Sequence, residues 1–109
     1  MIKRNKYDEA LIISLADTVL KNGFRYELYQ RGTKAFIYTQ ISPDEEIIIG
    51  YEVFKRIIDP PKKIFEMSYP PRERFPKDND FGSYAWAYTK LEHALEKYEA
   101  LENVIISNE

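Results

Sequence analysis

The chain has no cysteine, which excludes disulfide frameworks and every thiolate-based metal or nucleophile site. It has one histidine, His93, so no second imidazole exists to build a zinc site or an H-E-x-x-H motif. None of its serines lies in a G-x-S-x-G context, and its four glycines stand alone at 23, 32, 50 and 82, so no phosphate-cradling loop is present. Asp78-Asn79-Asp80 with Gly82 fails as a calcium loop, because the glycine stands one place late and no closing glutamate follows. No apolar run is long enough to cross a bilayer. The basic stretch Met1–Lys6 leads instead into residues broken by Asp8, Glu9 and Asp17, unlike a secretory signal. A formal charge of -2 supplies no global attraction to a polyanion or an anionic membrane. Together these absences point to a cytoplasmic, non-enzymatic protein with no cofactor and no membrane partner.

What is present suits one domain, 1–109. The length allows a single core, and the 44% hydrophobic and 31% charged fractions are those of a folded chain. Aromatics are plentiful: nine Tyr, six Phe and one Trp, a composition that serves half-buried sheets and binding surfaces alike.

Leu11, Leu15 and Val19 recur at helical spacing with Ile12, Ala16 and Leu20. Asp8 and Glu9 open this stretch and Asn22-Gly23 closes it, so residues 8–22 are predicted as a helix. After Gly23 the period becomes two. Phe24–Arg31 and Lys34–Ile41 read as strands around a two-residue Gly32-Thr33 turn, which would set Phe24 opposite Ile41 and Leu28 opposite Ile37. Ser42–Glu45 is a turn and Ile47–Ile58 a third strand. A bulge or a five-residue connection would turn its Ile47, Ile49, Tyr51 and Val53 toward the core. Asp59-Pro60-Pro61 ends it, and Lys62–Tyr69 is the fourth strand. Residues 70–83, rich in Pro and charge, form the long irregular segment. Ala85–Tyr88 is a short strand or an extended entry. Thr89-x-x-Glu92 is a capping box that launches a helix bearing Leu91, Ala94, Leu95, Tyr98 and Leu101. Val104-Ile105-Ile106 fits either a last helical turn or an edge strand. The predicted fold is α+β: an N-terminal helix, a four-stranded antiparallel meander with a short fifth strand as an option, and a C-terminal helix.

Two clusters carry the functional expectation. Lys55–Lys77 holds seven basic against three acidic residues, interleaved with Phe65, Tyr69 and Phe75. On one predicted sheet face Tyr29, Phe36, Tyr38, Ile48 and Phe54 would gather inside a ring of Arg25, Arg31, Lys34 and Arg56, either covered by the C-terminal helix or open to a partner.

The motifs Tyr51-Glu52-Val53, Tyr69-Pro70-Pro71, Phe75-Pro76, Asp80-Phe81-Gly82 and Trp86-Ala87-Tyr88-Thr89, with Leu91-Glu92 and Ala94, span about half the chain. In them the sequence resembles a loose group of small uncharacterised proteins from phages and mobile elements of gut bacteria. That resemblance implies an accessory role in a mobile element and assigns no site residue.

The functional expectation is a protein that binds a protein partner through aromatic and arginine side chains. Tyr69, Arg72, Arg74 and Phe75 form the contact loop within a recognition segment 70–82. Trp86 is an anchor or core plug, and Tyr29, Phe36 and Tyr38 are the second surface. The alternative is a single-stranded nucleic-acid binder using the basic and aromatic segment 55–77.

Overall fold

A computed structural model of the chain describes residues 7–103. Its strands are β1 (Thr18–Lys21), β2 (Phe24–Arg31), β3 (Ala35–Ile41), β4 (Ile48–Lys55), β5 (Ile58–Asp59), β6 (Lys62–Ile64), β7 (Met67–Tyr69), β8 (Arg72–Glu73) and β9 (Ala85–Tyr88). One α-helix follows, α1 (Leu91–Glu102). Strands β1-β2-β3-β4-β9 form one antiparallel sheet in that order, while β5–β8 and β6–β7 are separate two-stranded pairings. The architecture is therefore mostly sheet with a single C-terminal helix, which overturns the expected helix-meander-helix arrangement. Residues 104–106, for which helix and strand were both open, lie outside the described residues.

The predicted helix 8–22 does not form. Only a 3₁₀ turn at Glu9–Leu11 survives, with the Asp8 carboxylate accepting from the Ala10 N–H at 3.0 Å. Beyond it the chain runs extended into β1, and Asn22-Gly23 makes the tight turn into β2. Both turn residues have positive φ, 54° and 81°. A type I′ hairpin needs that at both central positions, and a helix stop needs it too, so the same dipeptide serves either reading. The strand wins because Leu15 and Val19 pack on the sheet beside Tyr26 and Phe36, while the Ala16 carbonyl accepts from the Tyr38 hydroxyl at 2.7 Å.

The β2–β3 hairpin also differs from expectation. Arg31 faces Phe36 and Gln30 faces Ile37; a bulge at Tyr29 then sets Leu28 opposite Tyr38 and Arg25 opposite Ile41. The loop is centred one residue later than Gly32-Thr33 because the Glu102 carboxylate of α1 holds it. That carboxylate accepts from the backbone N–H groups of Thr33, Lys34 and Ala35 and from the Thr33 hydroxyl. A Cβ at Gly32 would displace the Glu102 carboxylate that latches the loop, and the Tyr98 hydroxyl beside it.

The slip in register exchanges the faces. Tyr26, Phe36, Tyr38 and Phe54 share one face, and Ala35, Ile37 and Val53 share the other, under Ala94 and Leu101 of α1. A bulge at Ile49 aligns Tyr51 with Thr39 and Val53 with Ile37, yet Ile47 and Ile49 remain exposed at the sheet's end. The aromatic face is covered, but not by the helix. Phe75 and Phe81 of the segment after β8, together with Leu15, close it. Glu52 is buried on that face near Tyr26 with its Oε1 lacking a hydrogen-bond partner, and burial pushes its carboxyl above the ordinary range. The capping box expected at Thr89 is not used. Lys90 is the N-cap, its carbonyl accepting from His93 and Ala94, and His93 lies exposed on the helix.

Candidate interaction surface on the 58–73 ribbon

The predicted fourth strand Lys62–Tyr69 is not part of the sheet; it folds on itself. Cross-strand pairs Ile58–Glu73 and Asp59–Arg72 belong to β5–β8, and Lys62–Tyr69, Lys63–Ser68 and Ile64–Met67 to β6–β7. All five keep one register, so the two pairings are one antiparallel ribbon interrupted where Pro60-Pro61 lie opposite Pro70-Pro71. Prolines cannot donate to a ladder, so the hydrogen bonds stop there; their fixed φ limits the freedom of the joint instead.

The base of the ribbon is bolted down. Ile13 donates to the Pro71 carbonyl at 2.9 Å and accepts from the Glu73 N–H at 2.8 Å. Glu73 is 5% exposed and accepts from the Leu15 N–H (2.8 Å), Arg31 (3.0 Å) and Arg56 (2.6 Å). Burial alone would raise its pKa, but the Leu15 N–H and the two guanidinium groups together hold it below the usual carboxylate range. Arg56 in turn grips Glu9 with two bonds of 2.8 Å, tying the N-terminal turn to the same point.

Beyond the prolines everything is exposed. Residues 61–70 are all solvent-accessible, and the hairpin is amphipathic. Its pairing puts Ile64, Met67 and Tyr69 on one side with Lys62, and Lys63 with Ser68 on the other. Ile64 is 45%, Met67 60% and Tyr69 42% exposed, and Phe65 at the tip is 93% exposed. Phe65 also has φ 56°, at the first central position of a two-residue turn where glycine is the usual occupant. At the foot of this apolar side an open groove of about 540 Å³ is lined by Tyr7, Leu11, Pro61, Tyr69, Pro70 and Pro71, with Asp8 and Ser68 as polar members. Tyr69 belongs to both, so hairpin and groove are one continuous apolar surface.

The residues expected at a contact loop are divided by this geometry. Tyr69 and Arg72 lie exposed on the ribbon. Arg74 is held inward, its Nε 3.0 Å from Asp59 and its Nη1 2.9 Å from Asp80. Phe75 is a core plug, with ring centroids 4.9 Å from Tyr26, 5.0 Å from Phe54 and 5.3 Å from Tyr38. Pro76 beside it is fully buried, so this part of the segment 70–82 is packed down. Phe36 and Tyr38 are buried at 1% and 0% exposure and form no surface. Tyr29, thrown to the helix side by its bulge, is 47% exposed and meets Tyr51 edge-on. Trp86 is half-buried against the α1 cluster, with the Lys97 ammonium 3.9 Å from its ring centroid.

Ile64 and Met67 are absent from the expected contact surface, and Phe65 enters the expectation only as an aromatic of the basic segment 55–77. Their signal was the symmetry of the two Pro-Pro pairs about Phe65-Glu66, which fits a hairpin and not a single strand; the turn dipeptide itself, Phe-Glu, carries no turn chemistry. The chain matches no family model, no curated protein and no solved structure.

Proposed function

We propose that this is a non-enzymatic, cytoplasmic accessory protein that engages a protein partner through the apolar side of the 58–73 ribbon, in keeping with its resemblance to mobile-element proteins. The observation that carries this reading is Phe65: a large aromatic, 93% exposed, in a backbone conformation that disfavours it. Burying such a side chain stabilises a complex by roughly 1.5–3 kcal/mol, and its exposure in the free chain stabilises nothing. Strain held at an exposed aromatic is the mark of a functional position. Tyr69 and Arg72 stay in the contact surface, whereas Arg74 and Phe75 support it from beneath.

The single-stranded nucleic-acid reading has less to draw on. Of the seven basic residues between 55 and 77, Arg56 and Arg74 are committed to carboxylates and Lys55 lies over the rings of Tyr84 and Trp86. The test is affinity capture from the native host with wild-type chain and with Phe65→Asp. The variant should melt with the wild type and lose the captured protein. A captured protein retained undiminished by Phe65→Asp refutes the reading, and salt-sensitive oligonucleotide binding in its place favours the nucleic-acid alternative.

A further inference from the structure

We propose that the protein partner of the ribbon is a second copy of this chain, with two hairpins lying antiparallel about a two-fold axis and Phe65 of each seated in the groove at the foot of the other. This rests on the ribbon being the binding surface and names its occupant. Three observations converge on it.

The first is that knob and hole share one patch. Phe65 stands at the tip and the groove at the base, three residues of strand away, which is roughly 10 Å of extended chain. A paired ribbon cannot fold its tip back into its own foot. Two copies related by a two-fold can each fill the other, because an isologous contact requires the same surface to carry both halves of the fit. A groove of about 540 Å³ is roomy enough for an aromatic ring.

The second is charge. Glu66 sits at the tip, and Lys62 sits at the base on the apolar side; among the described residues neither is in an ion pair or a side-chain hydrogen bond. Antiparallel pairing brings each Glu66 to the other copy's Lys62. Parallel pairing would bring Glu66 to Glu66 and lysine to lysine, so the charges select one orientation.

The third is area. Phe65, Met67, Ile64, Tyr69 and Leu11 are 93%, 60%, 45%, 42% and 62% exposed. Covered in both copies, they remove on the order of 1,000 Å² of surface, the lower bound for a specific interface. The dimer is therefore reversible and depends heavily on Phe65.

The experiment is sedimentation of the purified full-length chain over a wide concentration range. A monomer–dimer equilibrium is expected for the wild type. Phe65→Asp should weaken it at least about thirtyfold, with an unchanged circular dichroism spectrum and, at a concentration where the wild type is monomeric, an unchanged melting temperature. Glu66→Lys alone and Lys62→Glu alone should each weaken association, and the two changes combined should restore it. A wild type that stays monomeric at the highest concentration, or a combined variant no tighter than its parents, overturns the proposal. The two readings fail separately. A monomer whose capture of another protein still requires Phe65 refutes self-pairing and leaves partner binding intact, while a monomer whose capture ignores Phe65 refutes both.

Discussion

Two phenylalanines ten residues apart, Phe65 and Phe75, sit in segments of the same composition, each beside proline and charge, and have opposite fates. Phe75 touches three aromatic rings of the sheet; Phe65 touches solvent over nearly its whole surface. The difference lies in what surrounds each in space. The chain after β8 is fastened by Glu73, Arg74 and Asp80, and so must lie across the aromatic face. The hairpin is isolated from that face by two facing proline pairs, and among the described residues nothing covers its tip. One segment is a strut and the other an arm. The strut holds the base rigid, which is what allows the arm to present a fixed surface.

The largest effect that would test this division is Phe75→Ala. Removing a ring in contact with Tyr26, Tyr38 and Phe54 should cost about 3 kcal/mol by the transfer and cavity costs of a large-to-small change, at the low end because the site is only partly buried. Urea unfolding of Phe75→Ala and Phe65→Ala side by side is the measurement, with Phe65→Ala expected within about 0.5 kcal/mol of wild type. Equal losses would erase the distinction.

Glu73→Ala comes next, at about 2 kcal/mol, because it strands the Arg31 and Arg56 guanidinium groups and the Leu15 N–H around a buried site. The same group sets an acid limb. Its folded pKa lies below the unfolded one, so its contribution is complete above the unfolded value near 4.5 and is lost as pH falls through the folded value. Asp80, held down by Arg74 and the Lys77 N–H, acts in the same direction. Glu52 opposes them: its raised folded pKa gives a contribution present in acid and lost as pH rises above the ordinary range. Melting temperature against pH in a Glu52→Gln background should therefore fall more steeply into acid than in the wild type. Glu73→Ala should flatten that fall.

How much of this was legible follows particular residues. That Phe36, Tyr38 and Phe54 share a face could be read from strand alternation, as could the side taken by Tyr51 and Val53, but a bulge and a longer connection serve that side equally, and Ile47 and Ile49 do not follow it. Which face Tyr26 joined could not be read, since one bulge at Tyr29 and one latched loop at Thr33–Ala35 shift the register, and both depend on Glu102 or Tyr51, distant in sequence. Asn22-Gly23 reads equally as a helix end and as a hairpin turn, because the left-handed geometry it supplies is common to both uses. Arg74 and Phe75 looked like interface residues because hot-spot composition and buried-strut composition are the same; only the partners Asp59, Asp80 and Tyr26 tell them apart.

The smallest effect on stability is also the sharpest on function. Phe65 occupies a left-handed position that asparagine adopts with less strain, as Asn22 does in the β1–β2 turn at nearly the same φ. Phe65→Asn therefore relieves backbone strain while removing no folded-state contact. At a dilution where both chains are monomeric, the variant should melt no lower than the wild type, and any gain should stay under about 1 kcal/mol, because the hairpin is a small exposed unit whose opening is not global unfolding. Hydrogen exchange at the Ile64–Met67 pair reads the hairpin directly, and protection there should rise. If Phe65→Asn instead lowers the melting temperature, the ring is packed in solution, and the arm is a second strut.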